Sequence, residues 1–97
     1  MATYISLVNW TEQGIKTYRD TTTRSEASKA LAAKFGGRIV SIWWTIGAYD
    51  LIAVAEFPDD ASATAFALVL GSGGGVRTTT LRAFGADEMS AIIARTV

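Results

Sequence analysis

The chain has no cysteine and no histidine among its 97 residues. Without cysteine there is no disulfide framework and no thiolate chemistry, which fits a reducing cytoplasm, the expected location. Without histidine the chain lacks the commonest metal ligand and the one side chain that ordinarily titrates near neutrality. A Ser–His–Asp triad, an ordinary zinc site and a His-ligated haem are thereby excluded. The carboxylates and carbonyls that remain suit hard ions rather than transition metals, so no metal and no cofactor is expected. Charge of one sign is missing too: nine Lys plus Arg balance nine Asp plus Glu. A balanced chain carries no electrostatic footprint for nucleic acid or an anionic membrane surface. No run approaches the ~20 consecutive apolar residues that span a bilayer. Met1 to Val8 enters an alternating pattern with no basic stretch, so no signal peptide is expected.

What the chain does have is apolar side chains. They make up 49% of the sequence, including three Trp, three Tyr and four Phe. The length is that of one domain, residues 1–97. A domain so small buries only about two-thirds of the surface its unfolded chain exposes. The apolar load exceeds what such a core can take in, and large uncovered apolar patches mark interfaces. A second copy of the chain is the expected cover.

Turn and capping residues divide the sequence. Thr3 to Asn9 reads as a strand. Thr11 is placed to cap a short helix from Glu12 to about Tyr18, followed by a polar break at Asp20 to Thr22. Thr23-Arg24-Ser25-Glu26 has the form of a capping box. The helix it opens carries Ala27, Leu31 and Phe35 on one face and ends at Gly36-Gly37. Arg38 to Ile46 alternates as a strand, with Val40, Ile42, Trp44 and Ile46 on one side and Ile39, Ser41, Trp43 and Thr45 on the other. Gly47-Ala48-Tyr49-Asp50 then turns the chain into a strand from Leu51 to Phe57, forming an antiparallel hairpin. The only proline, Pro58, closes that strand. A helix from Ala61 to about Leu70 follows, with Ala65, Leu68 and Val69 as its apolar stripe and Phe66 beside it. Gly71 to Gly75 reads as a mobile connector. Val76 to Phe84 is a fourth strand, and Asp87 is placed to cap a short last helix bearing Met89, Ile92 and Ile93.

The order β-α-β-β-α-β with a C-terminal helix predicts an α+β, ferredoxin-like sandwich. Such a sheet has helices on one face. Its other face is expected to be apolar here, because both sides of the Arg38–Ile46 strand carry a Trp and an Ile. Another subunit's sheet is the expected cover, as in dimeric α/β-barrel proteins, and the chain is not expected to fold as a stable monomer.

Four residues stand out as candidate ligand contacts: Tyr49, Asp50, Trp43 and Arg77. In the turn, Gly47 permits a positive φ and Asp50 can bond nearby amides. Tyr49 and Asp50 either line a pocket at the hairpin end or serve the turn alone. Adjacent Trp43 and Trp44 must face opposite ways; the one on the helix-free face serves as an interface anchor or a stacking platform. Arg77 and Arg82 lie on opposite faces of the last strand, and either can hold a carboxylate or form an ion pair. Glu56 is an acid–base candidate only if buried. The Gly71–Gly75 segment is not a phosphate cradle: it lacks the Gly-Lys-Ser/Thr ending and precedes a strand rather than a helix.

Several stretches together carry a resemblance: Tyr4-Ile5-Ser6-Leu7-Val8-Asn9-Trp10-Thr11, the Gly14-Ile15 pair, the two glycines before the second strand, the Gly47-x-Tyr49-Asp50 turn with Leu51, and Gly75-Val76-Arg77-Thr78-Thr79-Thr80. Over nearly its whole length the chain resembles the GYD-domain family, small bacterial proteins named for this turn. The resemblance implies a ferredoxin-like fold and association of subunits, and no reaction. More loosely, Thr45 to Asp50 (with Ile46 inserted before Gly47) and Gly75 to Thr80 are similar to the effector-binding domain of the leucine-responsive, or feast/famine, regulators. In those proteins sheets pair and small ligands bind between subunits. No helix-turn-helix segment precedes Thr3, so DNA binding does not carry over.

The expected function is a non-catalytic small-molecule-binding or sensing module. It acts as a homo-oligomer, a dimer first and a trimer or larger ring next, with its pocket between subunits near Tyr49 and Asp50. One alternative is a cofactor-free enzyme of the dimeric α/β-barrel kind, monooxygenase- or isomerase-like, in which Asp50, Glu56 or Tyr49 supplies acid–base chemistry. Another is a structural or assembly subunit without a ligand.

Overall fold

A computed structural model describes residues Met1–Val97. Strand β1 (Ala2–Trp10) leads into a short helix α1 (Glu12–Lys16), a 3-10 turn (Tyr18–Asp20) and helix α2 (Thr21–Lys34). Strands β2 (Arg38–Trp44) and β3 (Leu51–Phe57) form the hairpin. Helix α3 (Asp60–Ser72), strand β4 (Val76–Ala83) and helix α4 (Ala86–Ile93) complete the chain. The four strands form one antiparallel sheet in the order β2-β3-β1-β4. This is the α+β, ferredoxin-like arrangement predicted, with α2 and α3 on one face.

The core lies between that face and the helices, toward one end of the sheet. Phe57, at 2% exposed, is its centre. Its ring meets Tyr4 edge-on with centroids 6.0 Å apart and tilts against Phe66 at 5.2 Å. Ala32 of α2 and Ala63 of α3 pack onto this group. Gly37 has to be glycine, since a Cβ there would stand 2.3 Å from the Phe57 ring. Only 8 of the 97 residues are buried, so this aromatic cluster fills one end of the helix–sheet layer and leaves the other end thinly packed.

Several local expectations are corrected. Helix α2 begins at Thr21, so Thr23 lies within it and forms no capping box; the 3-10 turn at Tyr18–Asp20 feeds straight into the helix and replaces a side-chain cap. Its deepest residue is Ala32 rather than Ala27, with Leu31 and Phe35 half-buried beside it. In β2 the pairing runs Ile39↔Ala55 and then Ser41↔Val54. Val40 is therefore an extra, bulged residue, and a bulge shifts every later side chain to the opposite face. Ile39, Ile42 and Trp44 end up on the helix side, and Ser41 and Trp43 on the other. The strand stops at Trp44, leaving Ile46 fully exposed in the turn.

In α3 the buried residues are Ala63 and Phe66, whereas Leu68 and Val69 point outward at 70% and 45% exposed. The large Phe66 ring takes the place against Phe57, and the residue one turn earlier on its face is Ala63. The helix also runs on to Ser72. At its start Asp59 accepts the Ser62 amide at 2.8 Å, which holds the Asp59 carboxyl below the usual range. The last helix is preceded by Gly85 rather than capped by Asp87, and Glu88 reaches back to accept the Gly85 amide at 3.3 Å.

Helix α4 is tied to β4 by the Arg82–Glu88 ion pair at 3.4 Å, and Met89 and Ile93 on it are exposed. The chain measures 52 × 30 × 18 Å with a radius of gyration of 14.5 Å. A compact domain of this length has about 12.5 Å.

Candidate functional site

The signature turn is held by backbone and side-chain bonds alike. Gly47 takes φ +130°, the positive value predicted. The Thr45 hydroxyl donates to the Tyr49 carbonyl at 2.6 Å, and the Thr45 amide to the Asp50 carbonyl at 2.9 Å. The Asp50 amide donates to the Val8 carbonyl at 2.9 Å, which carries the β1–β3 ladder past Leu51. The Asp50 carboxylate accepts the Trp10 amide at 2.8 Å. That partner belongs to β1, forty positions away, and not to the turn itself.

From Trp10 the connections continue into α1 and the glycine segment. Thr11 caps α1, accepting the Gly14 amide at 3.1 Å. The Thr11 amide donates to the Gly75 carbonyl at 3.1 Å, and the Thr11 hydroxyl bonds the Gly74 carbonyl. Gly14 and Gly75 approach so closely that a Cβ on Gly14 would lie 1.8 Å from the Gly75 oxygen. The Gly73–Gly75 segment, expected as a mobile connector, is thus tied to α1. Trp10, Thr11, Gly14, Asp50 and Gly75, scattered in sequence, meet at one end of the sheet.

That end is the thinly packed one, and it holds a cavity of about 410 Å³ between the sheet and α2 and α3. Small side chains make its floor: Ser6 of β1, and Ala53 and Ala55 of β3. Leu31 and Phe66 wall it. Trp10 and Arg24 also line it, together with Gly73 and Gly75 of the tied segment. Sequence reasoning missed this cavity. The signal was the run of small residues at helix-facing positions, Ser6, Ala53 and Ala55 with Ala27 and Ser28 opposite. Period-two alternation marks such positions as interior without weighing their volume.

None of Tyr49, Asp50, Trp43 and Arg77 lines the cavity. Trp43 and Arg77 lie on the helix-free face. One cross-strand row there runs Trp43–Ile52–Leu7–Thr79, and the next Ser41–Val54–Ile5–Leu81. Trp43 is 65% exposed and Leu81 46%. Arg77 pairs with Asn9 on the far edge strand, three strand spacings across and two residues along, or about 16 Å from the Trp43 backbone. Trp44 stays on the helix side, where its indole N–H donates to the Thr21 hydroxyl at 2.9 Å.

The acid–base candidates also lie apart. Glu56 accepts from Arg38 at 2.7 Å on the helix-free face, six residues from Asp50, or about 20 Å along the strand. The one strongly shifted group is Tyr4. Burial, and then its hydrogen bond to Asp60 at 2.5 Å, push its phenol up to about 12.

The family described as GYD domain matches residues 4–93. A Thermus thermophilus protein named "Glutamine synthetase and cystathionine beta-lyase binding protein" is 34% identical over 92 residues, covering 94% of this chain and 97% of its own length. A crystal structure of a protein from Thermus thermophilus superposes with a TM-score of 0.53 at 25% identity, covering 89% of this chain and 96% of that one. Match, relative and superposition each span most of the sequence, and the chain belongs to the GYD-domain family.

Proposed function

We propose that the chain is a non-catalytic binding module that works as a homo-oligomer, a dimer in the first instance, with the helix-free sheet face paired against a second copy. The observation that carries this is a surplus of surface. The chain exposes 6355 Å². A compact monomer of 10.3 kDa exposes about 5,350 Å². The difference, about 1,000 Å², is close to the ~800 Å² that each partner contributes to a standard interface. The helix-free face is a large part of it: Ile5, Leu7, Ile52, Val54, Leu81 and Trp43 form a continuous apolar patch with charged groups only at its margins. In this reading Trp43 is the anchor in the partner's sheet, and Arg77 meets the partner from the opposite edge. Tyr49 and Asp50 shape the hairpin end at the rim.

A second reading concerns partners of another kind. The Thermus thermophilus relative carries a name that says it binds two enzymes. The projecting α4, with Met89 and Ile93 bare, supports a role for the assembled module in holding other proteins.

Sedimentation velocity at micromolar concentration tests the pairing. A dimer of twice 10.3 kDa is expected, or a larger ring, and Trp43→Lys is expected to break it into monomers of lowered stability. A wild-type chain that is folded and monomeric there sinks the proposal. A Trp43→Lys chain that keeps the wild-type mass assigns the interface to another face.

A further inference from the structure

We infer that the cavity between the sheet and α2 and α3 is a ligand site within each subunit, and that it takes a monocarboxylate with an apolar body, a medium-chain or aromatic acid. The inference rests on the chain being a binding module. It does not rest on the pairing of the sheet faces.

Size is the first argument. At about 410 Å³ the cavity falls in the ~300–1,000 Å³ range of small-molecule sites. It is also large for this chain, which buries only 8 of its 97 residues. The space exists because Ser6, Ala53 and Ala55 on the sheet face Ala27 and Ser28 on α2. Larger side chains at those positions would close it. Left to solvent it has room for about a dozen waters, most of them against methyl and methylene groups. Displacing poorly held water by an apolar ligand gains affinity.

Charge is the second argument. Arg24 is the only ionic residue that lines the cavity. It stands in the second turn of α2, and its guanidinium comes within 3.4 Å of where a Cβ on Gly75 would be. One amino group donates to the Thr17 hydroxyl. The chain's ion pairs are Glu12–Lys16, Glu26–Lys29, Arg38–Glu56 and Arg82–Glu88, so Arg24 has no carboxylate of its own. A guanidinium presents a planar fork that fits a carboxylate in bidentate fashion. An apolar space bounded by one such group recognises an anion attached to a greasy body. A dicarboxylate or a phosphorylated metabolite has no second cation to meet.

The geometry also gives the family turn a place in the site. The Asp50 carboxylate fixes the Trp10 amide, and Thr11 fixes Gly75. Trp10 and Gly75 both line the cavity. Asp50 is therefore a positioning residue, one backbone step from the ligand.

Calorimetric titration of the full chain with decanoate, with decanol and decylamine as matched probes, tests the assignment. Decanoate is expected to bind one per chain, decanol at least about tenfold more weakly, and decylamine not at all. Arg24→Glu, at an exposed position, is expected to lower decanoate affinity at least about tenfold, and Arg24→Lys to lower it by less, since the charge stays and the bidentate fork is lost. Ala53→Phe, which fills the floor, is expected to abolish binding. Should that variant misfold, amide chemical-shift mapping on the wild-type chain serves instead, with shifts expected at Trp10, Arg24 and Ala53. No decanoate binding, equal binding of decanoate and decylamine, or an unchanged Arg24→Glu affinity overturns the site. Shifts confined to Ile5, Leu7 and Trp43 overturn it as well, because they assign the acid to the helix-free face. Sedimentation of the same samples keeps the two proposals apart: lost binding with an intact oligomer refutes the ligand site alone.

Discussion

Gly14→Ala offers a direct measure of how firmly the glycine segment is held. The added methyl would lie 1.8 Å from the Gly75 carbonyl oxygen, where real Cβ contacts stay above 3.0 Å. Either α1 or the Gly73–Gly75 segment must therefore retreat by at least 3.0 − 1.8 = 1.2 Å. The Thr11 bonds to Gly74 and Gly75 span that gap, and their loss costs about 1 kcal/mol each. Forcing a methyl into a filled contact costs about 1–3 kcal/mol more. Replacing glycine inside a helix returns about 1 kcal/mol. The net expectation is a loss of about 2–4 kcal/mol. Gly71→Ala is the matched control, since it is also a helical glycine but its Cβ meets nothing within 4 Å. It should gain about 0.5–1 kcal/mol. Urea unfolding followed by circular dichroism reads both, at one fixed protomer concentration so that any association contributes equally. If Gly14→Ala unfolds within about 0.5 kcal/mol of wild type, the close approach of α1 to Gly75 is not a feature of the folded protein, and the reasoning fails.

Asp50→Ala leaves the Trp10 amide without its acceptor and should destabilise by about 1–3 kcal/mol, with Asp50→Asn losing roughly half as much because an amide oxygen remains; wild-type stability in both would remove Asp50 from its structural part. Phe57→Ala empties the centre of the aromatic cluster and should lose about 3–5 kcal/mol in the same urea assay. Tyr4 makes a pH prediction. Its folded value is raised from 10.0 to about 12, so the unfolded chain releases this proton first. Its contribution to stability is complete below pH 10 and is lost as pH rises toward 12. Tyr4→Phe should flatten that part of the alkaline profile, and an unaltered slope would show that Tyr4 ionises freely in the folded chain.

Element order was legible because it rests on short-range signals. Thr11, Gly36 and Pro58 act on the residues beside them, and each does so where the pattern predicts. The Trp43/Trp44 split was legible for the same reason, since adjacent strand residues must diverge. What alternation could not reveal was the bulge at Val40. A bulge is a property of two strands in register, and nothing in Arg38 to Ile46 alone distinguishes Val40 from its neighbours. The face of α3 failed for a related reason. Leu68 and Val69 satisfy a helical stripe as well as Ala63 and Phe66 do, and the contact with Phe57 decides between them. At the site, the Gly47 turn was readable as a turn. The partner of Asp50 was not, because Trp10 comes beside it only through the β1–β3 pairing. The cavity was harder still, since it is made by volume that side chains do not occupy.

The central strands keep the domain's two apolar surfaces apart. In β1, Ser6, Val8 and Trp10 face the cavity while Ile5 and Leu7 face the open side of the sheet. In β3, Leu51, Ala53 and Ala55 face the cavity while Ile52 and Val54 face the open side. Side chains on a strand alternate without exception along a regular ladder, so no residue of these two strands touches both surfaces. The backbone is shared, and its hydrogen bonds make each strand stiff. A substitution at Leu7 therefore alters the open face, and one at Ser6 the cavity, although the two residues are adjacent. The same holds for the tryptophans: Trp10 reports on the cavity and Trp43 on the open face. A domain with so few buried residues can present two apolar surfaces because its sheet is one layer thick. Each surface leaves the other's side chains in place, and the buried packing is concentrated in the aromatic cluster at Phe57 and Tyr4.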